Sequence, residues 1–483
     1  MATTLFFYDL ETSGLKPTSA RIMQFAGQRT DEDLNPIDEP INRLIILPKD
    51  VLPDPQAVLI HGITPQQTQL EGLSEAEFLK EFYQDIVIPE TTFVGFNNIR
   101  FDDEFIRYLN YRNLRDPYAW GYENDNSRWD ILDIVRMTRA LRPDGINWPE
   151  AKDGTKSNRL EHLTKANKLV HEAAHDALSD VLATIAVAKL IKQRQPRLYD
   201  YMYNLRQKKA ATKLVDANQP FVYTSSHYPS EQYHTTVVVK VSDHPDPGCV
   251  IVYDLRYDPT PWLDKTTEQL VEAWRYVADR PADDPPLPVK TIRLNRCPAI
   301  APLGVIKDSQ ADSRLGLDMD QIKRHHDILV SRQAKFASRL KEAVAIFNQE
   351  QALRWGNNND SVDAKMYDGF YSDTDRRYLK EVHVDETPDK IRQYANKFQD
   401  DRLKQLSQLY LMRNYERYLN TNERQAWDRI VAQKLIEGGD QSGLAMYFKA
   451  LNEVALNRPD TKAQLLLEDL KLYGESLIPS DML

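Results

Sequence analysis

The chain has little of what marks an exported or membrane-anchored protein. Its 483 residues include only two cysteines, Cys249 and Cys297, too few for a disulfide framework or a four-thiolate zinc site. Residues 1–10 lack the basic region and apolar core of a signal peptide, and no segment offers the roughly 18 uninterrupted apolar residues of a membrane span. We therefore expect a cytoplasmic protein with reduced thiols and no membrane contact.

Positive charge is also in deficit. The 62 Lys and Arg residues against 72 Asp and Glu residues give a formal net charge of -10, which argues against a protein that coats nucleic acid by bulk electrostatics. This charge is compatible with a nuclease, because a two-metal site itself needs several carboxylates and a substrate path can be locally basic. The 41% of hydrophobic residues indicate an ordinary globular protein.

The length favours three domains. Residues 1–195 alternate apolar strands with amphipathic helices and predict an α/β domain. Residues 196–350 contain a hairpin pattern around the turn at 243–248, which predicts a small β barrel with added helices. Residues 351–483 keep a 3.6-residue period with few turn signals and predict a helical bundle.

Two carboxylates end the first predicted strand. Asp9 and Glu11 are two residues apart, so on a strand they project from the same face, after an apolar run that fixes their position. Such a pair can bridge metal ions. Taken alone the pattern is weak, since solvated acidic pairs are common.

A second acidic cluster, Asp102, Asp103 and Glu104, stands where a predicted helix follows a strand that ends near Gly95. One acid at a helix start is explained by capping and by the helix dipole, whereas three in succession leave one available for other chemistry.

A third segment runs from His175 to Asp180. On one continuous helix these two residues would point about 140° apart, so His175 is expected on the loop before the helix, with Asp180 one turn inside it.

In this order and context the three segments resemble the motifs of the DEDDh exonucleases, a superfamily with an RNase H-like core. The segment 58–64 also resembles this superfamily, and the segments 127–130, 145–150, 159–167 and 364–373 and the middle domain resemble the bacterial exonuclease I family in particular, over essentially the whole chain. The resemblance implies an α/β exonuclease domain, an SH3-like β barrel and an α-helical C-terminal domain in a C-shaped monomer. It implies a single-strand-specific 3′-to-5′ exodeoxyribonuclease of DNA repair and recombination, which releases 5′-mononucleotides.

The family's residue roles carry over onto matching positions. Asp9, Glu11, Asp102 and Asp180 are implied as ligands of two Mg²⁺ ions, with Mn²⁺ able to substitute, and His175 as the general base. Asp103 is interpreted as a helix-start residue that supports the site. The remaining substrate contacts, expected beside the terminal nucleotide or its phosphates, are Glu11, Leu10, Thr12, His61 and Arg159.

The family also binds the acidic C-terminal tail of single-stranded DNA-binding protein, so the resemblance implies the same partner. We place that site at a basic rim comprising Arg142, Tyr201 and Arg314. A monomer is the expected state.

Two other functions compete with this interpretation. Residues 171–175 fit the zinc-protease pattern H-E-x-x-H, but Asp176 is predicted to start a helix directly afterwards, so His171 and His175 would not share one helical face. A non-catalytic single-stranded DNA-binding protein with the same fold would need to lose only one ligand, and all five motif residues are present.

Overall fold

A computed structural model describes residues 3–151, 153–171, 176–275, 277, 280, 285–307, 310–356, 361–384 and 386–478, with side chains left undescribed at 353–356. The chain divides into two compact units. The first unit comprises Met1–Asn126, Glu172–Leu182 and Asn359–Leu483. The second unit comprises Ser127–His171 and Ala183–Asn358.

The strands are β1 (Thr4–Thr12), β2 (Ile22–Thr30), β3 (Ile41–Leu44), β4 (Thr91–Gly95), β5 (Ser127–Asp130), β6 (Phe221–Thr224), β7 (Thr235–Asp243), β8 (Cys249–Asp254), β9 (Val289–Arg293) and β10 (Ala299–Pro302).

The helices are α1 (Pro55–His61), α2 (Pro65–Glu71), α3 (Glu75–Glu81), α4 (Asp102–Arg112), α5 (Ile131–Leu141), α6 (Leu160–Ala166), α7 (Ala177–Arg194), α8 (Pro196–Leu205), α9 (Lys208–Val215), α10 (Thr267–Trp274), α11 (Gly304–Lys307), α12 (Ala311–Leu315), α13 (Met319–Gly356), α14 (Asp373–Val382), α15 (Pro388–Ala395), α16 (Asp401–Asn414), α17 (Thr421–Leu435), α18 (Gly443–Asn457) and α19 (Thr461–Ser476). A π-helical turn, Phe82–Ile86, continues α3, and short 3₁₀ turns cover Ala119–Gly121, Glu123–Asp125, Ser230–Gln232, Val362–Tyr367, Glu416–Tyr418 and Gly439–Gln441.

The sheet of the first unit positions the predicted carboxylates. Its strands follow the order β3-β2-β1-β4, with β1 antiparallel to β2 and parallel to β4. The side chains of Phe6, Tyr8 and Leu10 point to one face of β1 and join a buried aromatic core with Phe25 and Phe93. Because successive strand residues alternate in direction, Asp9 and Glu11 lie on the opposite face.

The C-terminal helices pack on this α/β layer within the same unit. One buried cluster joins Tyr108 and Tyr111 of α4 to Val362, Tyr410 and Trp427. Another joins Val58 of α1 to leucines of α17, α18 and α19. Burial of apolar surface stabilises a fold by about 25 cal/mol per Å². The C-terminal helices therefore contribute to the stability of the first unit.

The second unit contains a five-stranded antiparallel sheet of order β10-β6-β7-β8-β9. The long helix α13 packs against β7 and α10. The predicted hairpin around 243–248 is confirmed, since β7 and β8 pair directly across it. No helix in the described part of the chain is both long enough and apolar enough to cross a membrane.

Candidate active site

Asp9 and Glu11 sit on one face of β1, as the two-residue spacing predicts. On the neighbouring strand, Ala26 pairs with Asp9 and Gln24 pairs with Glu11, and the register shifts between Glu11 and Thr12. The small Ala26 side chain leaves room beside Asp9. The antiparallel pairing with β2 therefore fixes both carboxylates up to the point where the strand ends.

Asp180 reaches the same place from the first turn of α7. Asp176 accepts a hydrogen bond from the Ser179 N–H at 3.0 Å, and the Asp180 N–H donates to the Asp176 carbonyl at 3.0 Å, so the predicted helix start is confirmed. Carboxylate oxygens of Asp9, Glu11 and Asp180 all lie within 4.8 Å of one another. This spacing suits oxygen ligands of one shared hard cation.

Asp102 is the first residue of α4 and is buried, with 4% of its surface exposed. It lies outside the group of three whose oxygens approach within 4.8 Å, yet its charge is the largest neighbouring contribution that raises the pKa of Asp9.

The turn before α4 is tight. A Cβ added to Gly95 would come within 2.6 Å of the Asn98 Cβ, so this turn requires glycine.

Asp103 faces the interior. Its Oδ1 accepts a hydrogen bond from the Tyr8 hydroxyl at 2.5 Å and another from the Asn98 amide at 3.4 Å. Arg107 lies 4.0 Å from its second oxygen. These contacts agree with the interpretation of Asp103 as a supporting residue, since the first acid of the pair remains to face the other carboxylates.

The electrostatics of the cluster favour a cation. Burial raises the pKa of Glu11 to about 8, with the charges of Asp180 and Asp102 adding to the rise. Burial also raises the pKa of Asp9 well above its usual value, followed by the charges of Asp102 and Glu11. Divalent ions reverse this repulsion, and an all-oxygen donor set is the one that Mg²⁺ and Mn²⁺ prefer. The residues present fit such ions.

The predicted nucleotide contacts divide into two groups. His61, at the C-terminal end of α1, has its Nε2 3.3 Å from the Thr12 carbonyl oxygen and therefore lies beside the end of β1. His61 also lines a cleft of about 550 Å³ together with Gln24, Asn42 and Asp176. The Leu10 side chain, only 5% exposed, packs in the core on the opposite face of β1, so it is not placed beside the carboxylates as the predicted apolar wedge.

Two other predicted residues cannot be placed against the carboxylates. His175 lies outside the described residues, as does Glu172 of the protease-like segment. Arg159 belongs to the second unit, where its highly exposed side chain lies 3.8 Å from Glu161. Both assignments stay predictions.

The three residues predicted for the partner site all belong to the second unit. The Arg142 guanidinium donates to the Leu141 and Val305 carbonyls, at 2.8 and 3.2 Å, and Arg314 donates to the Ala140 carbonyl at 2.8 Å. Both arginines therefore meet at the C-terminal end of α5. The Tyr201 hydroxyl donates to the Ile300 carbonyl of β10 at 3.1 Å.

An exposed aromatic patch near α4 was not predicted. We define the aromatic patch as the exposed aromatic side chains of two segments that both meet α4: Tyr118 and Tyr122, which are 41% and 58% exposed, and Tyr367 and Phe370, which are 57% and 96% exposed. The Tyr367 hydroxyl donates to Glu104 at 2.7 Å, and the Arg107 guanidinium lies 5.2 Å from the centre of the Tyr118 ring. These residues come from segments more than 240 positions apart, so the only sequence signal was an unusual number of aromatic residues in loop-like stretches.

Family models cover nearly the whole chain. Residues 6–188 match an exonuclease domain, 206–349 the exonuclease I SH3-like domain, and 360–477 the exonuclease I C-terminal domain. Exodeoxyribonuclease I of Escherichia coli (strain K12) is 41% identical over 485 residues, which cover 99% of this chain and 98% of that protein.

Solved structures agree. An exonuclease I from Methylocaldum szegediense superimposes with a TM-score of 0.90 at 40% identity, covering 99% of this chain and 100% of that one. Escherichia coli exonuclease I in complex with a dA16 oligonucleotide superimposes with a TM-score of 0.91 at 37% identity, with the same coverage. The predicted fold class of α/β exonuclease, SH3-like and helical domains is thereby confirmed, and the chain belongs to the exonuclease I family of exodeoxyribonucleases.

Proposed function

We propose that Asp9, Glu11, Asp102 and Asp180 hold two Mg²⁺ ions, which Mn²⁺ can replace, and that His175 accepts a proton from the attacking water. The observation that carries the proposal is the approach of three carboxylates from two distant segments to within 4.8 Å. As a member of its family the chain is a 3′-to-5′ exodeoxyribonuclease specific for single strands, which releases 5′-mononucleotides in DNA repair and recombination.

The chemistry divides between the ions and the side chains. Bound divalent ions lower the pKa of a coordinated water and neutralise charge on the reacting phosphate. Asp9 and Glu11, fixed on β1, and Asp180, fixed by the capped start of α7, hold their oxygens in place before substrate arrives. An imidazole with an ordinary pKa near 6.5 suits His175 for accepting the water's proton near neutral pH.

The types of ligand in the cluster distinguish magnesium from zinc. A zinc-bound form of the Escherichia coli exonuclease I complex with single-stranded DNA has been solved, at 36% identity to this chain and a TM-score of 0.90. We favour magnesium because the converging ligands among the described residues are carboxylates, whereas zinc sites draw mainly on histidine and cysteine. The zinc-protease alternative is further disfavoured because α7 begins at Ala177, so the H-E-x-x-H segment at 171–175 precedes this helix.

We assign strand binding in the first unit to the aromatic patch together with Thr12 and His61. Arg159, in the second unit, stays a proposed contact to phosphate. Single strands bind to aromatic side chains on which bases stack, beside cations that meet phosphates. The patch offers exposed rings beside α4, the helix that begins with Asp102, and the buried Arg107 of this helix lies against the Tyr118 ring. Contacts to the terminal nucleotide are assigned to Thr12 and His61, which flank the end of β1.

The metal site and the specificity for single strands are tested in one experiment, with a 5′-labelled single-stranded oligonucleotide, a matched blunt duplex and a denaturing gel. We expect shortening of the single strand from its 3′ end in Mg²⁺, none in chelator, and none with Asp9→Ala. Glu453→Gln, an exposed acid on α18, is the matched control and should cleave like wild type. A wild-type protein that binds the strand without shortening it in Mg²⁺ or Mn²⁺ would support the non-catalytic alternative.

The partner proposal concerns the acidic tail of single-stranded DNA-binding protein. A solved structure described as SSB/exonuclease I with the inhibitor CFAM is 36% identical to this chain, with a TM-score of 0.87. We propose that Arg142 and Arg314, which converge on the end of α5, bind carboxylates of the tail near Tyr201. We also propose that the chain acts as a monomer in the cytoplasm.

Substitution of the two arginines tests the partner site. Arg142→Ala and Arg314→Ala should each weaken binding of a tail peptide by roughly ten-fold or more, the loss expected for one charge-assisted hydrogen bond of about 1.5–3 kcal/mol. Hydrolysis of naked DNA should be unchanged. Fluorescence anisotropy with a labelled peptide gives the affinity, and unchanged affinity in both variants would refute this location.

A further inference from the structure

Six charged side chains form a network in the interior of the first unit. Each is at most 4% exposed, and three are positive and three negative; the more exposed Lys434 adds a contact to Asp50 at 2.8 Å. We define the buried charge network as Arg21, Asp50, Glu75, Arg112, Asp363 and Arg413. Buried charges are expensive unless they are paired, so a network of this size constrains the segments that carry it.

Arg413 of α16 is the centre of the network. Its guanidinium bridges two carboxylates: Nη2 lies 2.7 Å from an oxygen of Asp50 and 2.7 Å from an oxygen of Asp363. Further bonds run from Nε to Asp50 at 3.2 Å and from Nη1 to Asp363 at 2.8 Å. Fork-shaped contacts to two carboxylates fix direction as well as distance. The ion pair between Arg413 and Asp50 therefore connects the C-terminal helices to the segment around Asp50.

The other side of the network holds the loop that follows the catalytic strand. Arg21 donates to Asp363 at 2.9 Å and to the Ser19 and Ala20 carbonyls at 3.0 and 3.2 Å. Its backbone closes the loop, because the Ser13 N–H donates to the Arg21 carbonyl at 2.8 Å and the Arg21 N–H donates to the Ser13 hydroxyl at 2.9 Å. The last residue of α4, Arg112, donates to the Pro17 carbonyl at 2.8 Å.

The Asp50 segment reaches the end of β1 as well. The Asp54 N–H donates to the Ser13 carbonyl at 2.7 Å, and the Asp54 side chain caps α1. That helix ends at His61, whose Nε2 lies 3.3 Å from the Thr12 carbonyl oxygen. Residues 12 and 13, directly after Glu11, are therefore supported from both sides by segments that Arg413 and Asp363 anchor.

We propose that Arg413 and Asp363 are positioning residues for the divalent-cation site, which hold the Glu11 end of β1 through the loop at 13–21 and the segment at 50–54. The inference rests on the proposed metal site. It gives the C-terminal helices a role in cation binding that is separate from any contact with DNA. Groups that hydrogen-bond directly to metal ligands commonly account for about 10- to 100-fold in affinity, and Arg413, which acts through Asp363 and the loop, should fall at the lower end of this range.

Metal affinity without DNA is the decisive measurement. Mn²⁺ is titrated into the full-length protein and followed by electron paramagnetic resonance, with thermal melting as a second readout. Arg413→Met should weaken Mn²⁺ binding by about ten-fold or more, and Arg413→Lys, which keeps the charge but not the fork, should lie between it and wild type. The matched control is Lys49→Met. Lys49 pairs with Glu416 at 2.7 Å between the same two segments, but its side chain is 51% exposed, so its loss should leave Mn²⁺ binding unchanged.

The outcomes separate the two claims. An Arg413→Met protein that melts at a lower temperature yet binds Mn²⁺ like wild type would reduce the network to a structural role and overturn the inference. If Arg413→Met does not fold, Asp363→Asn and Arg413→Lys decide the question, and wild-type affinity in both overturns it. Asp9→Ala tests the site itself: equal Mn²⁺ binding by this variant and by wild type would remove the proposed metal site, whatever Arg413 does.

Discussion

The carboxylates of Asp9, Glu11 and Asp180 repel one another in the metal-free protein. Their spacing along the chain was readable, because a two-residue interval on a strand and a capped helix start each predict a direction for one side chain. The approach of the two segments to within 4.8 Å is a tertiary fact that only the resemblance to a family supplied. Leu10 is the opposite case, because the alternation of β1 alone places its side chain on the buried face, away from Asp9 and Glu11.

This repulsion predicts how stability depends on pH. The pKa of Glu11 is raised from 4.5 to about 8 by burial, then by the charges of Asp180 and Asp102. The folded state therefore binds more protons than the unfolded state between these values, and the stability of the metal-free protein should fall as pH rises from about 4.5 to about 8. Glu11→Gln removes this titration, so in chelator the variant should melt above wild type at pH 8, with the gap closing towards pH 5.

Thermal melts in chelator across this range test the sign, with Glu453→Gln on the surface of α18 as the control. Addition of Mg²⁺ should raise the melting temperature of wild type at pH 8 and have little effect on Glu11→Gln. A wild-type melting temperature that rises with pH relative to the variant would contradict the electrostatic account.

Among the elements, those that carry the candidate site were predicted, whereas two short helices after β3 were not. The strand that carries Asp9 and Glu11, the strand that ends at Gly95 and the starts of α4 and α7 were predicted to within a few residues, because apolar runs and capping residues leave little ambiguity. The helices α1 and α2 were missed. Each has only 7 residues and depends on a capping side chain, Asp54 or Thr64, rather than on a hydrophobic face.

The most exposed side chain of the aromatic patch is Phe370. Phe370 is 96% exposed, so Phe370→Ala should leave the melting temperature unchanged. Stacking of one base on an aromatic ring contributes about 1–3 kcal/mol, so the KM for a single-stranded oligonucleotide should rise by roughly 5- to 150-fold, with a smaller change in kcat. Steady-state kinetics with Leu456→Ala, an 85% exposed leucine on α18, provides the control. Equal KM values for the two variants would exclude Phe370 from the strand path.

The compact units of the molecule join segments that are far apart in the sequence. The predicted boundaries, 1–195, 196–350 and 351–483, follow the chain, and the family models fall in the same order. The compact units do not, because the first unit joins Met1–Asn126 to Asn359–Leu483. Periodicity reports which face of an element is apolar and not which distant element covers it, so the packing of Val58 against helices beyond residue 420 could not be read from the sequence.

This arrangement predicts that the exonuclease segment does not fold alone. In a fragment of residues 1–195, Tyr108 and Tyr111 lose their cover from α16 and α17, and Val58 loses its cover from α18 and α19. Arg21 would lose its partner Asp363, and Asp50 would lose its partner Arg413. Loss of one partner from a buried ion pair costs about 3–5 kcal/mol, which is a large part of the roughly 5–15 kcal/mol that stabilises a typical domain. The fragment should therefore aggregate or bind a hydrophobic dye without a sharp thermal transition. Adding residues 359–483 in trans should restore cooperative melting, whereas a soluble fragment 1–195 that melts sharply by itself would show that the C-terminal helices are dispensable for the fold.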